Sequence, residues 1–309
     1  MERLLRWTAL LFAFLLAAPV AAEVSLRLYG RYIAKRDPVF RSDAQTGWSN
    51  APDLLTTRIN AAGNAWVIKT DQNGQRPIEQ ILRPDGNTIL ILGDSLSFGE
   101  GVDLQDRFDV KMLESLPRAR IINTGTMGYG TDQEYVAFQS WKHLLESGDT
   151  VLIVLNESDY SDVLRRRFVG RAKPHFEKKA GSYVLCPPRI GVWERWSDWS
   201  RLALLIARKM EPKARERSDF VESIEIIRFI LRQIREDVPR GVKVIIAHQG
   251  SRNFLMPKLG LSSTIFCQFG DVCVDLDAAI DPAHTLPDGH WNASGHAAVA
   301  QLLMKAIRE

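Results

Sequence analysis

The sequence predicts an α/β protein in three layers, with a parallel sheet between two layers of helices. Two patterns in the 309 residues support this prediction: short apolar runs typical of strands, and amphipathic segments that alternate with them. The apolar runs are continuous, which is typical of strands buried on both faces of a parallel sheet. The composition, 45% hydrophobic and 25% charged, indicates a globular protein that can bury a core.

The predicted sheet follows an N-terminal region whose short apolar pieces are broken by Gly, Asn, Asp and Pro. The five predicted strands are Thr88–Leu92, Ala119–Asn123, Thr150–Leu155, Val242–Ala247 and Val272–Leu276. The three clearest predicted helices are Asp132–Glu146, Asp219–Val238 and Ser294–Arg308. In the second of these helices apolar residues recur at steps of three and four, Asp219 can cap the first turn, and Pro239 with Gly241 ends it.

The chain therefore divides into an N-terminal segment 1–22, an extension 23–87, and an α/β domain 88–309 with an insertion at about 163–217. The insertion begins with a basic stretch from Arg165 to Lys179, which we interpret as a solvated face; a site for an anionic polysaccharide or a phospholipid headgroup is the alternative. Its second half places Trp193, Trp196 and Trp199 at helical spacing, continued by Ala203, Ile206 and Met210. Such a stripe is more often core than a platform on which sugars stack.

The N-terminus has the pattern of a secretory signal peptide. Arg3 and Arg6 precede an apolar run over Trp7–Ala18, and Val20-Ala21-Ala22 forms a small-residue cleavage site before Glu23. Counted to Ala22, the run is shorter than the ~20 residues that span a bilayer, and an uncleaved signal anchor is the alternative. In either case we expect an exported protein, periplasmic or anchored and facing outward, with membrane association through its N-terminus.

The charge balance gives no case for a nucleic-acid partner. The formal net charge is only +3, from 40 basic and 37 acidic residues, whereas nucleic-acid-binding domains are usually strongly basic.

The sequence contains three cysteines. Cys267 and Cys273 enclose a short loop containing Gly270, and in an exported protein they can form a disulfide that leaves Cys186 free. Three buried thiols are an equal alternative. No Cys/His spacing predicts a metal site.

Two separated segments carry the candidate chemistry. Gly93-Asp94-Ser95 ends the first predicted strand, and Asp288-Gly289-His290 precedes the last predicted helix. A serine hydroxyl is a weak nucleophile that needs a base to remove its proton and a carboxylate to orient that base. We therefore predict Ser95 as nucleophile, His290 as general base and Asp288 as orienting acid. The alternative for Ser95 is that it only caps the helix that follows.

Other histidines near these segments are weaker candidates. His296 lies in the last predicted helix, where a structural or surface role is expected, and the spacing of Asp281 and His284 to that helix suits catalysis less well.

These segments resemble conserved blocks of the GDSL/SGNH hydrolase family. Gly93–Leu96 resembles block one, and Asn123–Gly130 resembles block two, in which Gly128 is implied as an oxyanion donor through its backbone N–H. Asp288-Gly289-His290 with Trp291-Asn292 resembles block five, although the usual spacing has two residues between Asp and His; the one-residue spacing also occurs in exported relatives with a His-Trp-Asn sequence. The resemblance covers roughly residues 88–164 and 219–309 and implies an SGNH/flavodoxin-like fold.

Block three departs from the family pattern, in which an Asn before Asp is a second oxyanion donor. This chain has Asn156-Glu157-Ser158-Asp159 after the third predicted strand. We favour Asn156 as the donor, and Ser158 is the alternative because it directly precedes Asp159. Loss of one such donor typically lowers turnover by about 10²–10³.

The resemblance implies a serine esterase that acts through an acyl-enzyme without a cofactor or a metal. The expected substrate is a small-molecule or glycan acyl ester, chiefly O-acetyl groups of a cell-envelope carbohydrate. One alternative is a lipid or acyl-thioester hydrolase of the same fold. The other is a non-enzymatic polysaccharide-assembly protein.

Overall fold

The computed structural model describes residues 1–30, 39–78, 86–209, 220–250 and 263–308. Within these ranges the strands are β1 Phe40–Asp43, β2 Gly47–Asn50, β3 Leu55–Ile59, β4 Ala65–Lys69, β5 Thr88–Leu92, β6 Arg120–Asn123, β7 Thr150–Leu155, β8 Arg167–Phe168, β9 Arg171–Ala172, β10 His175–Lys179, β11 Ser182–Cys186, β12 Lys243–His248 and β13 Val272–Asp275. The α-helices are α1 Glu2–Leu28, α2 Ser95–Phe98, α3 Phe108–Ser115, α4 Thr131–Trp141, α5 Asp159–Asp162, α6 Val192–Ser197, α7 Arg201–Lys209, α8 Phe220–Asp237 and α9 Ala293–Arg308.

The central sheet has five strands in the order β6-β5-β7-β12-β13, and every neighbouring pair is parallel. Numbered along the chain, this order is 2-1-3-4-5, the flavodoxin-like arrangement. The predicted fold class is confirmed. Two of the five predicted strands have the observed bounds, two differ by one residue at one end, and the fourth is shifted by one residue at both ends.

Helices cover both faces of this sheet, which explains why its strands are continuously apolar. On one face Phe138 of α4 and Ile230 of α8 are buried against the sheet. On the other face Met112 of α3, together with Val299 and Leu303 of α9, is buried. The long predicted helix is α8, and Asp219, its predicted cap, lies outside the described residues.

The extension forms two antiparallel hairpins, β1–β2 and β3–β4. Trp66 and Ile68 from β4 are buried in a small cluster with Phe98 and Met127 of the α/β domain. This cluster places the extension against the segment that follows Ser95 and against the loop that follows β6.

The insertion contains the hairpins β8–β9 and β10–β11, followed by α6 and α7. The tryptophan stripe is not one helix, because α6 ends at Ser197 and α7 begins at Arg201. Trp193, Trp196 and Trp199 are 42%, 59% and 80% exposed. The interpretation of these residues as core is therefore wrong, and Met210 lies outside the described residues.

The basic stretch is only partly solvated, which corrects the sequence-based interpretation. Arg171 is buried and paired with Asp198 at 2.9 Å. Lys173 is buried with its Nζ atom 2.7 Å from Asp132 Oδ1, and it also donates to the Asp162 carbonyl. Burial of a charged lysine is unfavourable unless an opposite charge lies beside it, and the Asp132 carboxylate supplies that charge.

Cys267 and Cys273 form a disulfide with a Cα–Cα distance of 5.2 Å, and Cys186 is a free thiol. The bridge joins the segment before β13 to β13 itself, at the edge of the sheet.

Candidate active site

The candidate nucleophile lies where β5 ends and α2 begins. Asp94 is the N-cap of α2, and its Oδ1 atom accepts a hydrogen bond from the Leu96 N–H at 2.9 Å. Ser95 is the first residue of that helix. A Cβ atom on Gly93 would lie 2.2 Å from Ser97 Oγ, so only glycine permits this tight change from strand to helix. The local sequence thus presents Ser95 at the carboxyl end of the sheet.

The candidate base reaches Ser95 from the other end of the chain. His290 Nε2 is 2.9 Å from Ser95 Oγ, although 195 positions separate the two residues. This is hydrogen-bond distance, so the imidazole can accept the serine proton.

The two residues after His290 hold it in place. Trp291 is fully buried and donates from Nε1 to Gln249 Oε1 at 2.7 Å. Asn292 Oδ1 accepts from the Gly295 N–H at 3.0 Å and caps the start of α9, while its Nδ2 atom donates to the Ala283 carbonyl. The His-Trp-Asn sequence therefore combines the base, an apolar anchor and a helix cap.

The candidate orienting acid lies beside the other imidazole nitrogen. Asp288 Oδ1 is 3.2 Å from His290 Nδ1, an ion-pair distance, but the two atoms are not aligned as a hydrogen bond. The short spacing is made possible by Gly289, which has a φ of +92°, in the left-handed region that favours glycine. The Asp288 side chain is 42% exposed, so its charge is partly screened by solvent.

Block two forms the loop after β6. Asn123 anchors this loop because its Nδ2 atom donates to the Ser97 carbonyl and its Oδ1 atom accepts from the Gly125 N–H. Gly128 has a φ of +77°, and a Cβ atom there would lie 2.4 Å from the Phe168 ring. Within the described residues, no acceptor is found for the backbone N–H of Gly128 or of Ser95. Both N–H groups are available to a developing oxyanion.

Block three follows β7, next to β5 in the sheet. Asn156 Nδ2 donates to Asp94 Oδ2 at 2.7 Å, and Asn156 Oδ1 accepts from the Ser158 N–H at 2.7 Å. Ser158 Oγ is 3.5 Å from Asp94 Oδ2, which is long for a hydrogen bond. Burial raises the pKa of Asp94, and the Asn156 hydrogen bond acts against that shift. The structure thus brings both candidate donors to the same carboxylate beside Ser95.

The comparisons with known proteins agree with this picture only at the level of fold. No family model matches the chain, and no curated protein matches it. Solved structures to which it is similar include the esterase EstA from Pseudoalteromonas sp., at 13% identity over 72% of this chain and 100% of that one, with a TM-score of 0.41. Another is the acetyl xylan esterase Axe2 from Geobacillus stearothermophilus, at 15% identity over 74% and 96% of the two chains, with a TM-score of 0.39.

A third is a member of the lipolytic G-D-S-L family from Veillonella parvula, at 11% identity over 72% of this chain and 100% of that one, with a TM-score of 0.37. At such values the similarities add nothing to what the strand order and the site show.

The decisive observation is the arrangement of the blocks on the sheet. Ser95, Gly128 and Asn156 follow the first, second and third strands of the 2-1-3-4-5 sheet, and Asp288 with His290 directly precedes the last helix. Ser95 and Asn156 flank the position where the strand order reverses, which is where open α/β sheets place their sites. The chain has a flavodoxin-like α/β fold.

In this flavodoxin-like fold a buried acidic cluster lies near the candidate site. Glu134 is 1% exposed, and burial raises its pKa well above its usual range; burial has the same effect on the pKa of Asp159. Asp159 accepts hydrogen bonds from Thr131 Oγ1 and from the Asn156 N–H. Through these two hydrogen bonds Asp159 holds the backbone of block three in place.

Sequence reasoning missed a second acid beside the base. Glu100 Oε2 is 3.5 Å from His290 Nε2, and its side chain is 30% exposed. The sequence indicated Glu100 only by its position in Gly99-Glu100-Gly101, shortly after Ser95, because it belongs to no recognised motif.

The supporting role of the extension was missed as well. Trp48 donates from Nε1 to the Met127 carbonyl, and its own carbonyl accepts from the Tyr129 hydroxyl, so the extension braces both sides of Gly128. Arg76 is buried and donates to the carbonyls of Phe98 and Gly99 at the end of α2. Residues so distant in sequence carry no local pattern that points to the site.

Among the residues that the structure describes, two groups of side chains have the donor atoms for a metal ion, and neither group favours metal binding. His248 lies with Cys267 and Cys273, but both sulfurs are joined in the disulfide. The second group is His175, Glu177 and Cys186, in which Arg166 and Lys179 already pair with the Glu177 carboxylate. Cations on that carboxylate disfavour a further cation there.

Proposed function

We propose that this chain is a serine esterase of the GDSL/SGNH type that cleaves carboxylic esters through an acyl-enzyme. The observation that carries the proposal is the 2.9 Å contact between Ser95 Oγ and His290 Nε2 at the carboxyl end of a parallel sheet. In this proposal Asp288 orients the imidazole, and the backbone N–H groups of Ser95 and Gly128 form the oxyanion hole with the Asn156 amide.

The reaction follows from these positions. Ser95 Oγ attacks the ester carbonyl as its proton passes to His290 Nε2, and the carbonyl oxygen becomes an oxyanion facing the N–H donors. Collapse of this intermediate expels the alcohol, which takes the proton from His290, and leaves the acyl group on Ser95. Water then repeats the sequence with His290 as base, releasing the carboxylic acid.

We favour O-acetyl groups on a cell-envelope carbohydrate as the substrate. The family resemblance points to acyl groups of exported glycans, and an accessible site suits an ester carried on a polymer. The side chains of Asp288 and His290 are 42% and 22% exposed in the described part of the chain. Such exposure lets an acyl group reach Ser95 while the polymer stays in solvent.

Export belongs to the same proposal. By length and composition α1 is the single helix within the described residues that could cross a membrane, and a signal sequence passes the same test. We propose that α1 takes the catalytic domain out of the cytoplasm, where an envelope carbohydrate is accessible.

A serine-directed phosphonate tests the proposal. Treatment of the full chain should give one adduct, which mass spectrometry maps to Ser95, and the adduct should be absent from Ser95→Ala. His284→Ala is the matched control, because it removes a nearby imidazole that is not in contact with Ser95, and it should be labelled like the wild type.

Nitrophenyl esters of increasing acyl length then separate the substrate classes. Fastest turnover of the acetyl ester is expected. Fastest turnover of long acyl chains would favour the lipid hydrolase, and complete absence of labelling and turnover would favour the non-enzymatic glycan-assembly protein.

A further inference from the structure

Helix α1 has the dimensions of a membrane anchor that continues into the folded domain. It contains 27 residues, and its large apolar side chains, such as Leu4 and Trp7, are 72% and 70% exposed. At a rise of about 1.5 Å per residue, Leu4–Ala22 is roughly 28 Å long, close to the ~30 Å of a bilayer hydrocarbon core. Arg3 then lies at one edge of that core and Glu23 at the other, and Arg6, less than one turn inside the first edge, can extend its guanidinium to the headgroups.

The Glu23 end of α1 is joined to the insertion by hydrogen bonds. The Glu23 carboxylate accepts from the Arg201 N–H at 3.0 Å, the Leu202 N–H at 2.9 Å and the Ser200 hydroxyl at 2.8 Å. It therefore caps α7, whose first N–H groups would otherwise lack acceptors. One turn farther along α1, the Arg27 guanidinium donates to the Trp199 carbonyl. The depth of α1 in a bilayer thus determines the depth of α6 and α7.

Beside this junction the insertion exposes an apolar surface, the tryptophan face. Its members share high exposure and large apolar side chains: Val192 65%, Trp193 42%, Trp196 59%, Trp199 80% and Leu205 42%. Grouped apolar exposure of this kind marks an interaction surface more often than isolated exposed residues do.

The junction geometry indicates what covers this face. Arg27 lies about 6 Å beyond Glu23 along the helix axis, so Trp199 falls within the polar layer of ~5–7 Å that borders the hydrocarbon core. Tryptophan is enriched in that layer, because its ring is apolar while its N–H can meet water or headgroups. Arg195, between Trp193 and Trp196 on α6, is exposed and adds positive charge, which suits anionic lipid headgroups.

We propose that the tryptophan face lies in the headgroup layer of the bilayer that α1 crosses, with α1 retained as an anchor. The anchor and the face together form a two-point attachment that holds the catalytic domain in one orientation above the membrane. This inference goes beyond the esterase proposal, because it concerns attachment and does not depend on the reaction.

Fluorescence quenching by brominated lipids tests the proposal. The full chain is reconstituted in phosphatidylcholine vesicles that carry bromine either near the headgroup or near the bilayer centre. The emission of the triple variant Trp193→Phe/Trp196→Phe/Trp199→Phe is subtracted from that of the wild type, which leaves the signal of the three indoles. We expect shallow bromine to quench this difference signal at least twofold more than deep bromine.

Trp141→Phe on α4 is the matched control, because the Trp141 indole is half-buried against the core, and its difference signal should be insensitive to both lipids. Circular dichroism and the denaturant midpoint of each variant confirm that it folds, and these substitutions between aromatic side chains should leave both unchanged. Turnover of a soluble acetyl ester by the triple variant should stay within about twofold of wild type, so failure of the esterase proposal is distinguished from failure of this one.

Three results would overturn the proposal. The first is a difference signal that neither lipid quenches but that soluble oligosaccharides alter, which would make the face a glycan platform. The second is burial of the indoles on self-association without lipid, which would make it an interface between copies. The third is an intact mass of the exported protein that begins at Glu23, which would exclude a retained anchor.

Discussion

Asn156 Nδ2 donates a hydrogen bond to Asp94 Oδ2 at 2.7 Å, which joins the end of β7 to the residue that precedes the candidate nucleophile. Asp94 also caps α2 through its other carboxylate oxygen, so one buried side chain positions both Ser95 and the Asn156 amide. An amide nitrogen has two N–H groups. One binds Asp94, and the other has no acceptor within the described residues, as the proposed oxyanion role requires.

The first prediction concerns the oxyanion donor of block three. Asn156→Ala should lower kcat by about 10²–10³ with little change in KM, because the lost hydrogen bond forms mainly in the transition state. Ser158→Ala should have a mild effect, since its hydroxyl is 3.5 Å from Asp94 Oδ2, which is long for a hydrogen bond. Steady-state kinetics on one soluble ester measures both.

Asp94 provides the control for this first prediction. Asp94→Asn keeps an oxygen that can accept from Asn156 and should retain more activity than Asp94→Ala. If Ser158→Ala proved the more damaging of the first two variants, the oxyanion role would move to Ser158.

The second prediction concerns the catalytic triad. Ser95→Ala and His290→Ala should each remove nearly all esterase activity, by a factor of up to about 10⁶ in kcat, without unfolding the protein. Asp288→Asn should be less severe than either, because the Asp288 carboxylate is exposed and not aligned as a hydrogen bond with His290 Nδ1. Activity assays beside denaturant unfolding curves test both parts.

One result would contradict the assignment of the candidate triad. Inactivation by His284→Ala or His296→Ala, with His290→Ala still active, would mean that the C-terminal block has been misassigned.

The sheet and the catalytic blocks were accessible from the sequence because their signals are local. Both faces of β5 are covered, so Thr88–Leu92 is buried throughout and apolar after Thr88, and the candidate site residues fall where such strands end. The candidate triad brings together residues far apart in the chain, yet each lies in a short block that can be recognised separately.

The remaining features depend on contacts that no local pattern encodes. Trp193, Trp196 and Trp199 have the spacing of a core stripe, but periodicity does not say whether protein, lipid or water lies opposite. Lys173 is buried because Asp132, on a different helix, is there to pair with it. The support that Trp48 gives to the Gly128 loop likewise arises only when the extension packs on the domain.

The third prediction concerns Gly128. Gly128→Ala should lower both stability and turnover, because a φ of +77° is unfavourable for alanine and the new Cβ would meet the Phe168 ring at 2.4 Å. A loss of about 1–3 kcal/mol in the free energy of unfolding is expected from the backbone conformation alone. Denaturant unfolding and kcat are measured on the same samples.

Adding Phe168→Ala to Gly128→Ala separates the steric clash from the unfavourable backbone conformation. The double variant removes the clash with the ring but keeps the unfavourable φ of residue 128, so it should recover only part of the lost stability and turnover. Wild-type stability and turnover in Gly128→Ala would show that this loop is not held as the structure has it.

The fourth prediction concerns Glu100. Its carboxylate lies 3.5 Å from His290 Nε2, so it can stabilise the positive imidazolium that forms as Ser95 attacks the ester. Glu100→Gln removes this charge and should lower kcat/KM by about two- to fivefold, as steady-state kinetics measures.

Glu114→Gln, a change at an exposed glutamate on α3, is the control for Glu100 and should leave kcat/KM unchanged. An unchanged or raised kcat/KM in Glu100→Gln would contradict the assignment of Glu100 as a partner of the imidazolium.

The fifth prediction concerns stability at acidic pH. His296 is 1% exposed, its ring stacks on Phe108, and its Nδ1 atom accepts from the Phe108 N–H. Burial holds the pKa of His296 well below its usual range, with the nearby Arg107 adding to the effect.

Below the pKa of about 6.5 of an unfolded histidine, the unfolded chain takes up a proton that the folded chain does not, so stability falls as pH falls, by up to about 1.4 kcal/mol per pH unit. Above that pH this contribution to the pH dependence disappears.

His296→Asn can keep an acceptor for the Phe108 N–H but has no imidazole to protonate. Its unfolding free energy should be lower than that of the wild type at pH 8, because of lost packing, and should then decline less steeply from pH 6.5 to pH 5. Burial also lowers the pKa of His248, so His296→Asn/His248→Asn should give a flatter profile still. Urea unfolding at half-unit pH intervals measures these slopes, and parallel profiles for wild type and His296→Asn would mean that acid destabilisation begins elsewhere in the molecule.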